Sequence, residues 1–84
     1  MSIQAVLFGI SDWSTNDARK WLNNHNITPI KNVHNTTNFL RYRIKTPKYD
    51  LFHYRIKTIQ TKPLIKLILE YYYMSHVKTT MINK

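Results

Sequence analysis

Two stretches of this chain alternate so strictly that they leave little choice of backbone. From Asn38 to Lys45, Leu40, Tyr42 and Ile44 occupy one side and Phe39, Arg41, Arg43 and Lys45 the other. From Leu51 to Ile59, Phe52, Tyr54 and Ile56 alternate with His53, Arg55 and Lys57. A period of two is that of a β-strand with one face toward a core, because successive side chains leave a pleated strand on opposite sides. The runs are bounded by Thr46-Pro47-Lys48-Tyr49-Asp50 and by Gln60 to Pro63, both with turn-forming residues.

The other elements follow from the same reasoning. Ile3 to Ile10 is rich in Val, Ile, Leu and Phe, contains the only glycine, Gly9, and predicts a buried strand. Ser11-Asp12 turns the chain. Ser14 then stands three residues before Asp17, a capping-box variant, and Ala18, Trp21, Leu22 and His25 recur on one face of a helix. Asn26 suits the left-handed position that ends a helix, and Pro29 forbids much continuation, so the helix spans about 18 Å if it runs for a dozen residues. Thr28 to His34 predicts a weaker strand before the polar turn Asn35-Thr36-Thr37. Leu64 to Tyr73 has the length of a helix, but Ile65, Leu67, Leu69, Tyr71 and Tyr73 alternate with Lys66, Ile68, Glu70 and Tyr72, which favours a strand. Met74 to Lys84 shows no persistent pattern and reads as a frayed C-terminal tail. The expectation is one small α+β domain over residues 1–73, order β-α-β-β-β-β. Its single helix packs on a mostly antiparallel sheet of four to five strands. A parallel pairing around the helix would require a right-handed crossover.

At 84 residues there is no room for a second domain, and a core this small needs nearly every large apolar residue. Cysteine is absent, which removes disulfides, thiolate metal sites and a cysteine nucleophile together. Thirteen Lys and Arg against four Asp and Glu give a net charge of +9, which calls for a polyanionic partner. A hydrophobic content of 43% is too high for a disordered basic tail. Apolar runs are too short to span a bilayer, and the basic residues do not line an amphipathic helix, so no membrane partner is expected. The N-terminus lacks a positive region and a cleavage site, which predicts an intracellular protein (host cytoplasm or nucleus) or a virion protein, not a secreted one. The triplets Asn26-Ile27-Thr28 and Asn35-Thr36-Thr37 are then chance glycosylation matches. Ile, Lys and Asn number 10, 9 and 8, all with A/T-rich codons, so the placement of charge outweighs its amount.

That placement is one-sided. If Leu40, Tyr42, Ile44 and Phe52, Tyr54, Ile56 face the helix, then Arg41, Arg43, Lys45, His53, Arg55 and Lys57 share the opposite face of a two-stranded patch. Between residues 37 and 67 eight Lys and Arg meet one acid, Asp50. Like charges set across paired strands repel, and phosphate is the commonest anion to relieve them. A purely solubilising face would be served as well by mixed signs. The expected nucleic-acid site therefore comprises Arg41, Arg43, Lys45, His53, Arg55 and Lys57 with Lys48 and Tyr49 of the intervening loop. Tyr49 and Phe39 could stack on bases of a single strand. Trp13 and Trp21 read as packing residues, Asp12 and Asp17 as turn and first-turn residues, and Ser14 as a cap. His25, His34, His53 and His76 lack ligand spacing, and one glycine makes no phosphate-cradling loop. No catalytic residue, metal site or cofactor is expected, and the chain does not read as an enzyme.

Val6-Leu7-Phe8, Trp13-Ser14, Ala18-Arg19-Lys20-Trp21-Leu22, Lys31, Val33-His34, Thr36 and Asn38-Phe39-Leu40-Arg41-Tyr42-Arg43 together resemble a short α/β module of large DNA viruses and tailed bacteriophages, mostly of unassigned function. The similarity covers roughly residues 4–45, with a looser match at Leu64–Leu69. Arg41 and Arg43 match its element of two arginines separated by one aromatic. Asn26 stands where a helix-ending glycine is usual, and Tyr71-Tyr72-Tyr73 replaces a shorter ending that contains glycine. The resemblance implies a viral origin and no particular activity. Two roles are open: DNA or RNA binding, or a virion-structural or interaction module docking an acidic protein or viral structural protein. A homodimer through the strand Ile3–Ile10 or the final strand is compatible with either.

Overall fold

The computed structural model describes residues 2–72. The expected tail, 74–84, lies outside the described residues. The elements run β1 (Ser2–Gly9), α1 (Thr15–Asn24), β2 (His34–Asn35), β3 (Phe39–Arg43), β4 (Phe52–Thr61) and β5 (Leu64–Tyr72). They form one small α+β domain with a single five-stranded sheet, order β2-β3-β1-β5-β4, in which every pairing is antiparallel. The segment Leu64–Tyr72 is a strand, as its alternation indicates.

β1 is the central strand, buried from Gln4 to Gly9, because it has a neighbour on each edge and side chains packed on each face. Register fixes the faces, since residues directly opposite each other project to the same side. Val6 lies opposite Tyr42 and Leu67, and Phe8 opposite Leu40 and Ile65. Val6, Phe8, Leu40, Tyr42 and Ile65 join Ala18 and Leu22 of α1 in the core, and the partly buried Leu67 packs against it. Phe8 is fully buried, with the rings of Trp13, Trp21 and Tyr42 edge-on at 5.0, 5.6 and 5.6 Å. Burial of that one ring is worth about 1.5–3 kcal/mol, and each edge-to-face pair adds about 0.5–1.5 kcal/mol.

The local signals of α1 act as their chemistry dictates. Ser14 Oγ accepts from the Asp17 amide at 3.1 Å, and Asn26 takes φ 57° beyond the last turn. His25 ends the helix and is exposed, with its ring stacked on Trp21 at 3.8 Å. The helix has ten residues and is thus about 15 Å long. It covers β1, β3 and the first part of β5, and no residue of β4 belongs to the core cluster or packs against it among the described residues.

Three expectations are corrected. The strand Thr28–His34 contracts to His34–Asn35, preceded by one ladder-like bond from Ile30 N to Arg43 O. Pro29, which lacks a donor, sits where a longer strand would need one. β3 and β4 are not a hairpin, because β1 and β5 stand between them. Neither β1 nor β5 is an edge strand, so neither is available to pair across a two-fold; the edges are β2 and β4.

Candidate nucleic-acid interface

The cationic strands part company in the sheet. Arg41 lies opposite Leu7 and Arg43 opposite Ala5, on the open face away from α1. Arg55 and Lys57 lie opposite Leu69 and Leu67, on the helix side beyond the reach of α1, where Arg55 Cζ stands 5.9 Å from the Tyr71 ring centre. His53 stacks on that same ring at 5.5 Å. The single two-stranded patch is therefore replaced by two clusters on opposite faces. Alternation shows which side chains share a side of a strand. It does not show which side meets the core, and on β4 the aromatic side is the open one.

The β3 cluster is the better organised. Arg41 and His34 are direct cross-strand partners. With Lys31, Asn32 and Arg43 they line a recess of about 220 Å³. The Nε of Arg41 is buried and has no hydrogen-bond partner in the protein. No described carboxylate lies within ion-pair distance of Lys31, Arg41 or Arg43. A buried guanidinium donor beside further cations is an unmet demand for an acceptor anion, since leaving such a donor unpaired costs about 1–3 kcal/mol. Phe39 projects to this same open face, and Lys66, opposite Leu7 from the other side, holds its Nζ 5.5 Å from the Phe39 ring centre.

The remaining expected residues are dispersed. Lys45 is drawn to Glu70, its Nζ 3.4 Å from Oε2, and so stands apart from the β3 recess. Lys48 and Tyr49 sit in the exposed loop before β4. There the Lys48 amide donates to the Tyr54 hydroxyl at 2.8 Å, and Tyr49, 70% exposed, meets the Tyr54 ring edge-on at 5.3 Å. Alternation alone did not reach Lys31, His34 or Lys66. They depend on which strands become neighbours, and the one available hint was that Lys66 shares the two-residue phase of a basic-apolar strand.

Three of the four acids have places in the fold. Asp17 lies in the first turn of α1, Asp12 Oδ2 accepts from the Leu64 amide at 2.9 Å, and Glu70 is buried with bonds from Ser2, Lys45 and Tyr54. Among the described residues no group of three His, Asp or Glu side chains is placed to hold a metal ion. No described helix is long and apolar enough to cross a membrane. No protein-family model, curated protein or solved structure matches the chain.

Proposed function

We propose that this protein binds the backbone of DNA or RNA without sequence preference, with Lys31, His34, Arg41, Arg43 and Lys66 as the principal contact and Arg55 and Lys57 as a second one. One observation carries the reading: the buried, unpartnered Nε of Arg41 in a recess whose other charged walls are all basic. Phosphate oxygens are acceptors of the right charge, and arginine binds them in a forked geometry that lysine cannot copy. Phe39 beside the cluster offers a flat ring for a neighbouring base. Clusters on both faces suit a long flexible polyanion better than a small one. In this reading the chain is a viral-type accessory module of the cell interior or the virion, and it binds without catalysing.

The test is the salt dependence of binding. Lys31, Arg41, Arg43 and Lys66 neutralising one phosphate each gives a slope of log K against log salt of about −3.5 on duplex and about −3 on single strands. Replacing Arg41 and Arg43 with Ala flattens the slope by about 2 and weakens all sequences alike. Salt-independent affinity, or a slope untouched by the double change, rules the reading out.

A second reading rests on β4, a ten-residue strand with no described strand on its outer side and with Ile56 64% exposed. A strand from an acidic protein could extend the sheet here. Pairing of two copies through β4 centred on Ile56 instead sets Arg55 and Lys57 of one against the same cations of the other. Retention on a protein partner with none on polynucleotide would favour this reading.

A further inference from the structure

The recess at Arg41 is one side of a larger feature. The segment Ile27–Asn32 leaves the end of α1, passes along the outer edge of β3 and forms a wall with two sides. On one side is the basic recess. On the other is an open cleft of about 870 Å³ between this segment and α1, within the range of small-ligand sites. Lys31 and Asn32 line both. Leu22 and Ile27 give the cleft apolar walls, Asn23 and Asn32 bring side-chain amides, and Arg19 adds a cation.

Tyr42 also lines this cleft, and it is unusual. The residue is 1% exposed, yet its hydroxyl has no hydrogen-bond partner in the protein. A phenylalanine would fill the same core position without leaving a polar atom unpaired. Apolar walls for a planar ring, amides that both donate and accept, a lone phenolic hydroxyl and cations at both sides make up the chemistry of a nucleobase attached to phosphate.

Resting on the backbone-binding reading above, we infer that the cleft between α1 and Ile27–Asn32 takes one unstacked base of a single-stranded nucleic acid whose adjoining phosphate lies against Lys31, Arg41 and Arg43. The strand thus crosses the segment Ile27–Asn32 beside β3, with Lys31 at the crossing. A base held inside a duplex cannot enter, so the site selects single strands by shape and leaves base identity largely unread.

Three probes of equal length test this at one salt concentration: a single strand, the same strand with every base removed, and the duplex. The base-bearing strand binds roughly tenfold tighter than the abasic strand, in line with the usual contribution of one well-held base. Asn23→Trp fills the cleft and lowers the base-bearing strand to the abasic level, while abasic binding and the salt slope stay as they were. Tyr42→Phe keeps the ring, melts no lower than the parent and weakens the base-bearing strand alone, so it reports on the cleft even if the tryptophan variant fails to fold. Equal binding of base-bearing and abasic strands with the salt slope intact overturns the cleft and leaves the phosphate reading standing. Failure of the parent to bind any of the three overturns both.

Discussion

The ammonium of Lys45 lies 3.4 Å from Oε2 of Glu70, a carboxylate that is only 6% exposed while the lysine side chain is half exposed. Glu70 also receives the Ser2 hydroxyl at 2.9 Å, so it is anchored on β5 by contacts from β1 and from the chain just beyond β3. Lys45 Nζ donates to the same Ser2 oxygen at 3.0 Å. The pair thus ties three parts of the chain together at one end of the sheet, and its two members differ sharply in how much water they see.

That difference makes the two deletions unequal. Lys45→Met leaves a buried carboxylate without its counter-charge and costs about 1–2 kcal/mol. Glu70→Gln leaves an ammonium that solvent already reaches and costs less, about 1 kcal/mol or below. Urea denaturation of the two variants checks the order. Because Lys45 serves Glu70, Lys45→Met also leaves the salt slope of nucleic-acid binding as in the parent. Equal destabilisation, or a slope that falls by one, would show Lys45 to be a free surface cation.

The two cationic clusters give separable signals. Arg41→Ala with Arg43→Ala removes the recess, whereas Arg55→Ala with Lys57→Ala removes charge from the other face. Both pairs lower the formal charge by two. If the recess is the principal contact, the first pair weakens binding at moderate salt at least tenfold more than the second, a difference of about 1.4 kcal/mol or above. Fluorescence anisotropy of a labelled strand measures both. Equal losses would mean that only net charge matters.

Much of this architecture was legible because it is local. Ser14, Asp17 and Asn26 marked the helix by backbone chemistry within one or two turns, and the alternations at 38–45 and 51–59 marked the strands Phe39–Arg43 and Phe52–Thr61 by their own period. What could not be read was non-local. The order β2-β3-β1-β5-β4 is decided by burial of the Val6, Phe8 and Ile65 side chains under α1, and nothing within residues 38–59 encodes the two strands inserted between β3 and β4. The mixed fate of Arg41 and Arg55, alike in sequence and opposite in face, follows from that insertion. Gln4 was equally hidden. It is 1% exposed, lies where the β1–β5 register shifts, donates to Lys45 O at 2.7 Å and accepts at its own carbonyl from Ile44 and Lys45.

Gly9 is required by proximity. A Cβ at this position would stand 2.9 Å from Leu64 Cβ, an atom fixed to the backbone and unable to rotate away. The Leu64 amide is in turn held by Asp12 at 2.9 Å, so the start of β5 has little freedom to retreat. Gly9→Ala therefore destabilises by about 1–3 kcal/mol, the range for overpacking. For a domain of this size each kcal/mol lowers Tm by roughly 4–8 °C. Thermal denaturation followed by circular dichroism measures it, and an unchanged Tm would mean that β1 and the β5 start are not in this contact. Asp12→Ala removes the bond without the clash and lowers Tm less.

β4 carries its own protection against edge-to-edge pairing. Ten residues long and outermost among the described strands, it has no described strand on its outer side, and Ile56 and Ile59 are 64% and 43% exposed along it. A long exposed edge of that kind is a template for pairing with another chain unless charges intervene. Arg55 and Lys57 flank Ile56, and in an antiparallel self-pairing centred on Ile56 they bring cation against cation. Changing both to Thr keeps strand propensity, removes the repulsion and leaves the core untouched, since neither side chain is buried. The expected outcome is concentration-dependent association of the double variant by light scattering, with thermal stability at low concentration within about 0.5 kcal/mol of the parent, as for most surface changes. Changing Arg41 and Arg43 to Thr removes the same charge from an interior strand of the sheet and produces no association. If both pairs aggregate alike, lowered net charge is responsible and the edge is not specifically guarded. If neither does, the strand is protected by something other than these two side chains.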